Sequence, residues 1–358
     1  MLLTEIINTC FTNNLPFVSY RIPGTNDPIL MTGGSFTSEN KIPEGLKQQF
    51  VLAPFDTENN PVQYFNPENI VSGWEVDLPT DEKWRIPDFI SPEVPVITDF
   101  ESYQLQAEKL IGAMKLHEVE KIVLSRVLQY QLKEEIRGGN IFEIACKKYP
   151  DAFVYILNDG HGQIWMGATP ETLIHVSSGK GSTMSLAGTQ AIGNQSLENI
   201  RWEEKEQKEH QFVTDYIQES LQKTSVENLI VGETISVQAG KMAHLKTNFS
   251  FKVPEKQSVL NIALALHPTP AVCGMPQQLS FRIINTTEKH TRNYYTGFLG
   301  IRDRNENCAF YVNLRCMQII QDKAFIYVGG GLTAQSDPLK EWNETELKSG
   351  TMLSLFGE

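Results

Sequence analysis

The segment DPLKEWNETELKSGTML near the C-terminus places two carboxylates and an amine on one side of a predicted helix. Glu341, Glu344 and Lys348 are spaced at i, i+3 and i+7, so they share a face. Two carboxylates on one face can hold a hard cation such as Mg²⁺, which prefers oxygen ligands. The same spacing is typical of a solvated face with a Glu344–Lys348 ion pair. The helix alone therefore leaves both interpretations open.

A second pair of carboxylates occurs in the segment KEQKEHQF. Glu206 and Glu209 are again spaced at i, i+3, and His210 follows them directly. A charged outer face of a helix explains this pattern as well as a ligand pair does. The spacing is not that of the HExxH signature, so it does not indicate zinc.

Two further residues have types suited to acid–base chemistry. Lys121 opens the apolar segment KIVLSR, where burial would favour the neutral amine that can accept a proton. Glu171 follows a proline-containing turn in GATPETL. Taken alone, each also fits a surface charge at the edge of a strand.

Three consecutive glycines, Gly329, Gly330 and Gly331, precede the C-terminal helix in the segment VGGGL. Glycines that follow a strand permit close approach of the backbone and can direct N–H groups at an anion. The segment matches neither a Walker loop nor a dinucleotide-binding fingerprint. We expect a cradle for a carboxylate rather than a phosphate loop.

Helices and strands in irregular mixture must position these residues, which indicates a large α/β or α+β architecture. The first helix is predicted to be capped by Thr98 or Asp99, the second to run from Asn199 to about Lys223, and the last to begin with Asp337 as N-cap and Pro338 as first residue. Their predicted apolar faces comprise Leu105, Leu110, Ile111 and Met114 in the first, and Phe212, Val213, Tyr216, Ile217 and Leu221 in the second. The predicted strands are KIVLSRVLQYQL, GQIWMGATPETLIHV, STMSLAGTQ (ending in a glycine turn), AFYVNLRCMQII and AFIYVGGGL.

The first ninety or so residues are predicted to form a separate layer with short strands in SYRIPGTNDPILMTGGSF. Pro87, Pro92 and Pro95 then predict an extended connector. This connector is either a domain boundary or a surface crossing of the chain, and we divide the chain there into residues 1–95 and residues 96–358, the latter as one compact unit.

The composition excludes several classes of protein. The 358 residues are 41% hydrophobic, enough for a large core, and the net charge of −12 disfavours binding to nucleic acid. The 5 cysteines have no CxxC spacing, which disfavours a disulfide framework or a thiolate zinc site. No apolar run approaches the ~18 residues of a membrane span, and the N-terminus lacks the features of a signal peptide. We expect a soluble cytoplasmic protein that does not bind membranes.

The sequence also contains, in order, the segments KIVLSR, GATPETL, LAGT, KEQKEH, LHPTPAVCG, YVNLRC, VGGGL and DPLKEWNETELKSGTML. They extend over roughly residues 119–357 and resemble the chorismate-utilising family, which contains isochorismate synthase, the anthranilate synthase large component and salicylate synthase. The resemblance implies an α+β fold of two stacked β-sheets flanked by helices, with the site in a cleft between the halves. The N-terminal third shows little that matches.

The resemblance also implies roles for individual residues. Glu209 and Glu344 match the family's Mg²⁺ ligands, and Glu206 and Glu341 would lie nearby and act through waters. Mg²⁺ would hold the ring carboxylate of the substrate chorismate. Arg315 would bind its enolpyruvyl carboxylate, because a guanidinium matches a carboxylate in shape. The remaining residues expected at the substrate are Gly188, Thr189, His267, Ala271, Gly329, Gly330, Gly331 and Lys348.

The reaction implied by the resemblance depends on the nucleophile. In isochorismate synthases a lysine matching Lys121 deprotonates the water that adds at C2, and a glutamate matching Glu171 protonates the leaving C4 hydroxyl. Aminating and pyruvate-eliminating relatives usually carry threonine at the position of Ala271, so HPTPA favours isochorismate formation without a glutamine amidotransferase partner. His267 in this motif contacts the site or is a satisfied structural residue. After LAGT many relatives continue with arginines, whereas this chain has Gln190, Ala191 and Ile192.

Three alternatives remain at this stage. The chain could be a salicylate synthase or an aminating synthase of the same family, or a non-catalytic chorismate-binding subunit. Retention of Lys121, Glu171 and the carboxylates disfavours the non-catalytic subunit. Isochorismate feeds menaquinone, catecholate siderophores and salicylate, and no residue distinguishes these pathways.

Overall fold

A computed structural model of the chain describes residues 1–77, 90, 92–116, 119–133, 137–192, 196–239, 242–255 and 257–357. Within these ranges the strands are β1 (Phe17–Arg21), β2 (Ile29–Thr32), β3 (Ser35–Thr37), β4 (Gln48–Ala53), β5 (Gln63–Asn66), β6 (Asn69–Ser72), β7 (Lys121–Gln131), β8 (Phe153–Asn158), β9 (Ile164–Thr169), β10 (Thr172–Ser177), β11 (Lys180–Ala191), β12 (Glu227–Ala239), β13 (Met242–Lys252), β14 (Gly274–Met275), β15 (Phe298–Asp303), β16 (Cys308–Val312), β17 (Cys316–Ile320) and β18 (Lys323–Leu332). The α-helices are α1 (Leu3–Thr12), α2 (Phe100–Leu116), α3 (Gly138–Lys148), α4 (Glu204–Gln222), α5 (Val259–Leu266), α6 (Gln277–Thr287) and α7 (Pro338–Leu353). Short 3₁₀ turns cover Leu197–Asn199 and Ser354–Phe356.

The described strands form two antiparallel sheets of nine strands each. The first sheet has the order β14-β7-β18-β17-β9-β8-β1-β2-β6, and the second has the order β12-β13-β11-β10-β16-β15-β4-β5-β3. A shared apolar core joins their inner faces, where the rings of Phe153 and Tyr311 stack with centroids 4.3 Å apart. Further cores pack α1 and α3 against the first sheet, and α4 and α5 against the second. The two stacked sheets flanked by helices are thus confirmed.

The N-terminal strands complete both sheets, so the expectation of a separate N-terminal layer is wrong. β1, β2 and β6 continue the first sheet beyond β8, and β4, β5 and β3 continue the second beyond β15. Strand pairing over long sequence separations produces this arrangement, and local patterns do not report such pairing. The division of the chain near residue 95 stays a prediction. Of the connector prolines, Pro87 lies outside the described residues.

The helices follow the predicted patterns with one exception on α2. Asp99 caps α2, since its Oδ1 accepts a hydrogen bond from Ser102 N–H at 2.8 Å. Leu110, Ile111 and Met114 are buried as expected, but Leu105 is 69% exposed, and Tyr103 and Ala107 occupy the buried face instead. The helical repeat from Tyr103 through Ala107 to Leu110 explains this, because Leu105 lies on the other side.

The remaining two predicted helices are also present. On α4, Val213, Ile217 and Leu221 are buried at helical spacing. The helix begins at Glu204, later than predicted, after the 3₁₀ turn. At the start of α7, Asp337 Oδ1 accepts a hydrogen bond from Lys340 N–H at 2.9 Å, and Pro338 is the first helical residue, both as predicted.

The glycine turn predicted at the end of STMSLAGTQ is a strand position. β11 continues through Gly188 to Ala191, with a bulge between Ala187 and Thr189 where Gly188 has φ +71°. Gly329, Gly330 and Gly331 lie within β18 and pair with Ser125, Leu124 and Val123 of β7. The predicted strand AFIYVGGGL is therefore confirmed with its three glycines.

Candidate active site

A cleft of about 500 Å³ opens between the C-terminal end of β18, the start of β7, β11, α4 and α7. We call it the central cleft. Most of the residues expected at the site line it: Lys121, Glu171, Gly188, Glu206, Glu209, Ala271, Arg315, Gly329, Gly331, Glu341, Glu344 and Lys348. A larger cavity of about 680 Å³, lined by residues such as Asn59, Lys289 and Asn293, contains none of them. The chemistry of the side chains therefore selects the central cleft, although it is the smaller cavity.

Lys121 is the first residue of β7 and reaches across to α4. Its Nζ lies 2.8 Å from Glu209 Oε1, and its side chain is 15% exposed. Gly331 on the neighbouring strand leaves room for this side chain, because a Cβ there would lie 2.8 Å from Lys121 Cε. A larger residue at this position would displace the end of the lysine side chain from its present place.

Glu171 directly precedes β10 and lies near two cationic side chains of the cleft, Lys121 and Arg315. Burial raises the pKa of its carboxyl to about 7, and the positive charges of Lys121 and Arg315 oppose this shift without cancelling it. A carboxyl group that is half protonated near neutral pH can donate a proton. The geometry therefore provides an acid and an amine at one cavity.

Four carboxylates line the cleft from two helices. Glu206 and Glu209 come from α4, and Glu341 and Glu344 come from α7. Glu206 Oε2 is buried and accepts no hydrogen bond from the described residues. Ser336 Oγ donates to Glu341 Oε1 at 2.7 Å and holds that carboxylate in place.

This set of oxygen donors fits Mg²⁺. A buried carboxylate oxygen without a hydrogen-bond donor is costly unless a cation approaches it. Among the described residues, no three His, Cys, Asp or Glu side chains form a ready-made cluster for an ion. Bound Mg²⁺ would then need oxygen ligands from water or substrate in addition to protein carboxylates, which is usual for this ion.

Two cationic side chains stand beside these carboxylates. Lys348 Nζ lies 2.6 Å from Glu344 Oε1 and donates to the carbonyl oxygen of Gly329 at 3.0 Å. Arg315 precedes β17 in the left-handed backbone conformation, with φ +48°. Such a conformation in a residue other than glycine is often found at functional positions. Positive charge thus stands at two places on the cleft wall, as an anionic substrate requires.

Gly330 and His267 are expected site residues that are not among the described residues lining the cleft. Of Thr189 the structure describes the backbone, which pairs with His244 of β13. Gly330 lies next to the carboxylate of Glu341, since a Cβ on Gly330 would be 3.3 Å from Glu341 Oε2. His267 is buried and its Nε2 donates to the Phe55 carbonyl oxygen at 2.9 Å.

His267 therefore has the environment of a structural residue. Burial lowers the pKa of its ring to about 4, so the ring is neutral at pH 7. Of its motif, Ala271 and the following Val272 reach the cleft. Gln190, where many relatives continue with arginine, donates from Nε2 to the Arg201 carbonyl oxygen at 3.2 Å.

Several cleft residues have no motif that singles them out in the sequence. His244, Tyr295 and Ser336 all line the cavity. His244 pairs with Thr189 across β11 and β13, so its position follows from the strand register and not from local spacing. Tyr295 Oη would lie 2.9 Å from a Cβ on Gly329, which explains a second glycine of the triplet.

Among the described residues, no helix has the length and apolar character needed to cross a membrane.

Comparisons with known proteins agree with the motifs. Residues 86–357 match the family described as chorismate binding enzyme. The isochorismate synthase EntC of Escherichia coli (strain K12) is 28% identical over 270 residues, which cover 74% of this chain and 68% of EntC. Two solved structures are similar over most of the chain.

The first structure is MenF, the menaquinone-specific isochorismate synthase from Escherichia coli, with a TM-score of 0.81, 19% identity and coverage of 99% of this chain and 91% of MenF. The second is anthranilate synthase component I from Streptococcus pneumoniae TIGR4, with a TM-score of 0.70, 16% identity and coverage of 88% and 82%. At such identities these matches establish the shared fold. Because this fold occurs both in an isochorismate synthase and in an anthranilate synthase component, the fold alone does not assign a reaction.

Proposed function

Because the chain belongs to the chorismate-binding enzyme family, we propose that it is an isochorismate synthase, which adds water at C2 of chorismate and releases the C4 hydroxyl. The observation that carries the proposal is the presence of Lys121 and Glu171 at one cleft, with the pKa of Glu171 raised to about 7. Water addition needs a base and hydroxide loss needs an acid, and these two residues can supply both.

In the proposed reaction Lys121, in its neutral form, takes a proton from the attacking water. The new C2–O bond forms as both ring double bonds shift, from C1=C2 and C5=C6 to C1=C6 and C4=C5, and the C4–O bond breaks. Glu171, in its protonated form, gives its proton to the departing oxygen, which leaves as water. The reaction is a net isomerisation, and one proton has passed from water to Lys121 and one from Glu171 to the leaving group. The resting protonation states return by exchange with solvent.

The charges of the cleft support chorismate as the substrate. Arg315 would pair with the enolpyruvyl carboxylate through its planar guanidinium, and Lys348 adds a second positive charge. Mg²⁺ held by Glu209 and Glu344 would supply positive charge for the ring carboxylate. Glu206 and Glu341 would act through waters.

Hydration is favoured over amination by Ala271 on the cleft wall. Its small apolar side chain stands where aminating and pyruvate-eliminating relatives usually have threonine. The enzyme would then need no partner that supplies ammonia. We expect a cytoplasmic enzyme that provides isochorismate for menaquinone or siderophore formation, as relatives of both kinds do.

The deciding experiment is incubation of the purified protein with chorismate and Mg²⁺, with and without ammonium, and identification of the products by NMR. Isochorismate in both conditions supports the proposal. Anthranilate or aminodeoxychorismate formed with ammonium would identify an aminating enzyme, and salicylate would identify a salicylate synthase. Binding of chorismate without any product would identify a non-catalytic subunit.

A further inference from the structure

Arg126 is a large charged side chain that is almost completely buried, with 2% exposure, and none of the proposed catalytic steps uses it. It lies on β7, the strand that begins with Lys121. Side chains alternate along the strand, so Lys121 and Val123 line the central cleft while Ile122 and Leu124 pack into the core beneath α2. Arg126 belongs to the second set and faces away from the cleft.

The guanidinium of Arg126 is held by α7 through three kinds of contact. Nε donates to Thr345 Oγ1 at 2.7 Å, and Nη2 forms an ion pair with the carboxylate of Glu346. The guanidinium carbon lies 3.7 Å from the centroid of the Trp342 ring. These contacts fix both the rotation of the helix and its position along its axis, because they involve three side chains on one turn.

The hydroxyl of Thr345, which accepts the hydrogen bond from Arg126, is itself held in one orientation by the helix. Thr345 is fully buried, and its hydroxyl donates to the Trp342 carbonyl oxygen at 2.7 Å, which leaves a lone pair for Arg126. Trp342 is in turn packed edge-on against Tyr103 of α2, with ring centroids 5.5 Å apart. Two of the three contacts of the arginine are therefore with packed parts of the helix, whereas its ion-pair partner Glu346 is 51% exposed.

The adjoining side of the same helical turns carries the cleft residues Glu341, Glu344 and Lys348. A rotation of α7 about its axis or a shift along it would move these side chains relative to Lys121. Outer-shell groups that orient the metal-binding residues commonly change metal affinity about 10–100-fold when they are removed. The contacts of Arg126 thus connect the strand of the proposed base to the helix of the proposed metal ligand.

We propose that Arg126 is a positioning residue that sets the place of the metal-binding face of α7 relative to Lys121 and thereby the affinity for Mg²⁺. The inference rests on the proposed function only in so far as Glu344 is taken to bind the metal. A purely structural role would lower stability without a selective effect on the metal.

The test measures Mn²⁺ binding by electron paramagnetic resonance in the absence of chorismate, together with thermal unfolding and the Mg²⁺ dependence of turnover. Mn²⁺ is the probe because it accepts the same oxygen ligands as Mg²⁺. The variants are Arg126→Lys, which keeps the charge, and Thr345→Val, which keeps the packing and removes the acceptor. Thr345→Ser restores the acceptor. Arg302→Lys is the control, since Arg302 is also buried but donates to Asn40 and Gln49 in the other half of the fold.

We expect Arg126→Lys and Thr345→Val to bind Mn²⁺ about 10–100-fold more weakly, with kcat at saturating Mg²⁺ within about threefold of the wild type. Thr345→Ser should bind like the wild type, and Arg302→Lys should lose stability without losing affinity. If Arg126→Lys does not fold, the Thr345 pair carries the test alone.

Unchanged Mn²⁺ affinity in Thr345→Val, and in Arg126→Lys where it folds, would overturn the inference while leaving isochorismate formation by the wild type untouched. A wild type that binds Mn²⁺ but forms no isochorismate would overturn the proposed function instead, and a loss of affinity in the variants would still support the role of Arg126. A wild type that binds no Mn²⁺ would overturn the metal assignment and this inference together.

Discussion

Lys121 and Glu209 form an ion pair with 2.8 Å between Nζ and Oε1, although they are separated by 88 positions in the sequence. The pair connects the start of β7 with α4 across the central cleft. In the proposed mechanism one partner is the base and the other a metal ligand. A cation at Glu209 would compete with Lys121 for the same carboxylate, so the two functions are electrostatically linked.

The first prediction concerns Lys121→Ala. Turnover of chorismate should fall by about 10²–10⁴-fold, the usual contribution of a general base. Mn²⁺ affinity should be equal to that of the wild type or higher, because the variant removes the positive charge that neighbours Glu209. Steady-state kinetics and metal titration test both parts. Lys340→Ala, an exposed change on α7, is the control and should leave both unchanged. Wild-type kcat in Lys121→Ala would contradict the assignment of the base.

The second prediction concerns the pH dependence that Glu171 causes. Its protonated form is the proton donor, and the pKa is about 7, so kcat should fall as the pH rises above 7. Glu171→Gln should lose most of the turnover while chorismate still binds, since the amide cannot release a proton. A pH–rate profile of the wild type and isothermal titration of the variant provide the measurements. An alkaline limb far above pH 7 would argue against this carboxyl group as the acid.

The third prediction is that the raised pKa of Glu171 makes the stability of the protein depend on pH. The folded-state pKa of about 7 exceeds the ordinary glutamate value of 4.5, so the folded protein retains a proton that the unfolded chain has lost. The stabilising contribution is complete below about pH 4.5 and is lost as the pH rises through 7. The wild type should therefore lose on the order of 2 kcal/mol relative to Glu171→Gln between pH 5 and pH 8. Urea unfolding of both proteins at the two pH values gives this difference.

The identity of the chemical groups could be inferred from the sequence, because the motifs around Lys121, Glu171, Glu209 and Glu344 are local. Their juxtaposition could not, since the ion pair between Lys121 and Glu209 depends on the packing of α4 against a distant strand. The strand AFIYVGGGL could be predicted from its local pattern, but the reason for its glycines could not. A Cβ on Gly329 or Gly331 would lie within 3 Å of Tyr295 or Lys121, and only the fold brings these side chains together.

A similar limit applies to the N-terminal region. The short strands β1 to β6 were visible in part as local patterns, but their distribution between two sheets depends on pairing with β8 and β15. Local patterns do not identify His244 and Tyr295 as cleft residues for the same reason. His244 reaches the cleft through strand register, and Tyr295 reaches it from a segment between α6 and β15. Only the assembled fold brings them to the site.

The fourth prediction concerns His267, which the structure separates from the cleft. His267→Gln should leave the KM for chorismate within about threefold of the wild type, because the ring bonds to the Phe55 carbonyl oxygen and not to a cleft residue. The variant should also lose the decrease in stability at acidic pH that protonation of the ring causes. The folded-state pKa of about 4 lies below the ordinary histidine value of 6.5, so stability falls as the pH drops from 6.5 toward 4. Thermal unfolding at pH 5 and pH 7.5 measures this. A large rise in KM at unchanged stability would instead indicate a direct contact with substrate.

The fifth prediction concerns the role of Glu344 in metal binding. Glu344→Gln should raise the Mg²⁺ concentration needed for half-maximal turnover by at least about tenfold, because a neutral amide is a poor replacement for a charged oxygen ligand. The control is Glu204→Gln, which removes an equal charge from α4 at a residue that pairs with Lys208 in solvent. The control should keep the wild-type Mg²⁺ dependence, since an exposed ion pair contributes little and lies outside the cleft lining. Equal shifts in both variants would mean that net charge, and not coordination by Glu344, governs the response to Mg²⁺.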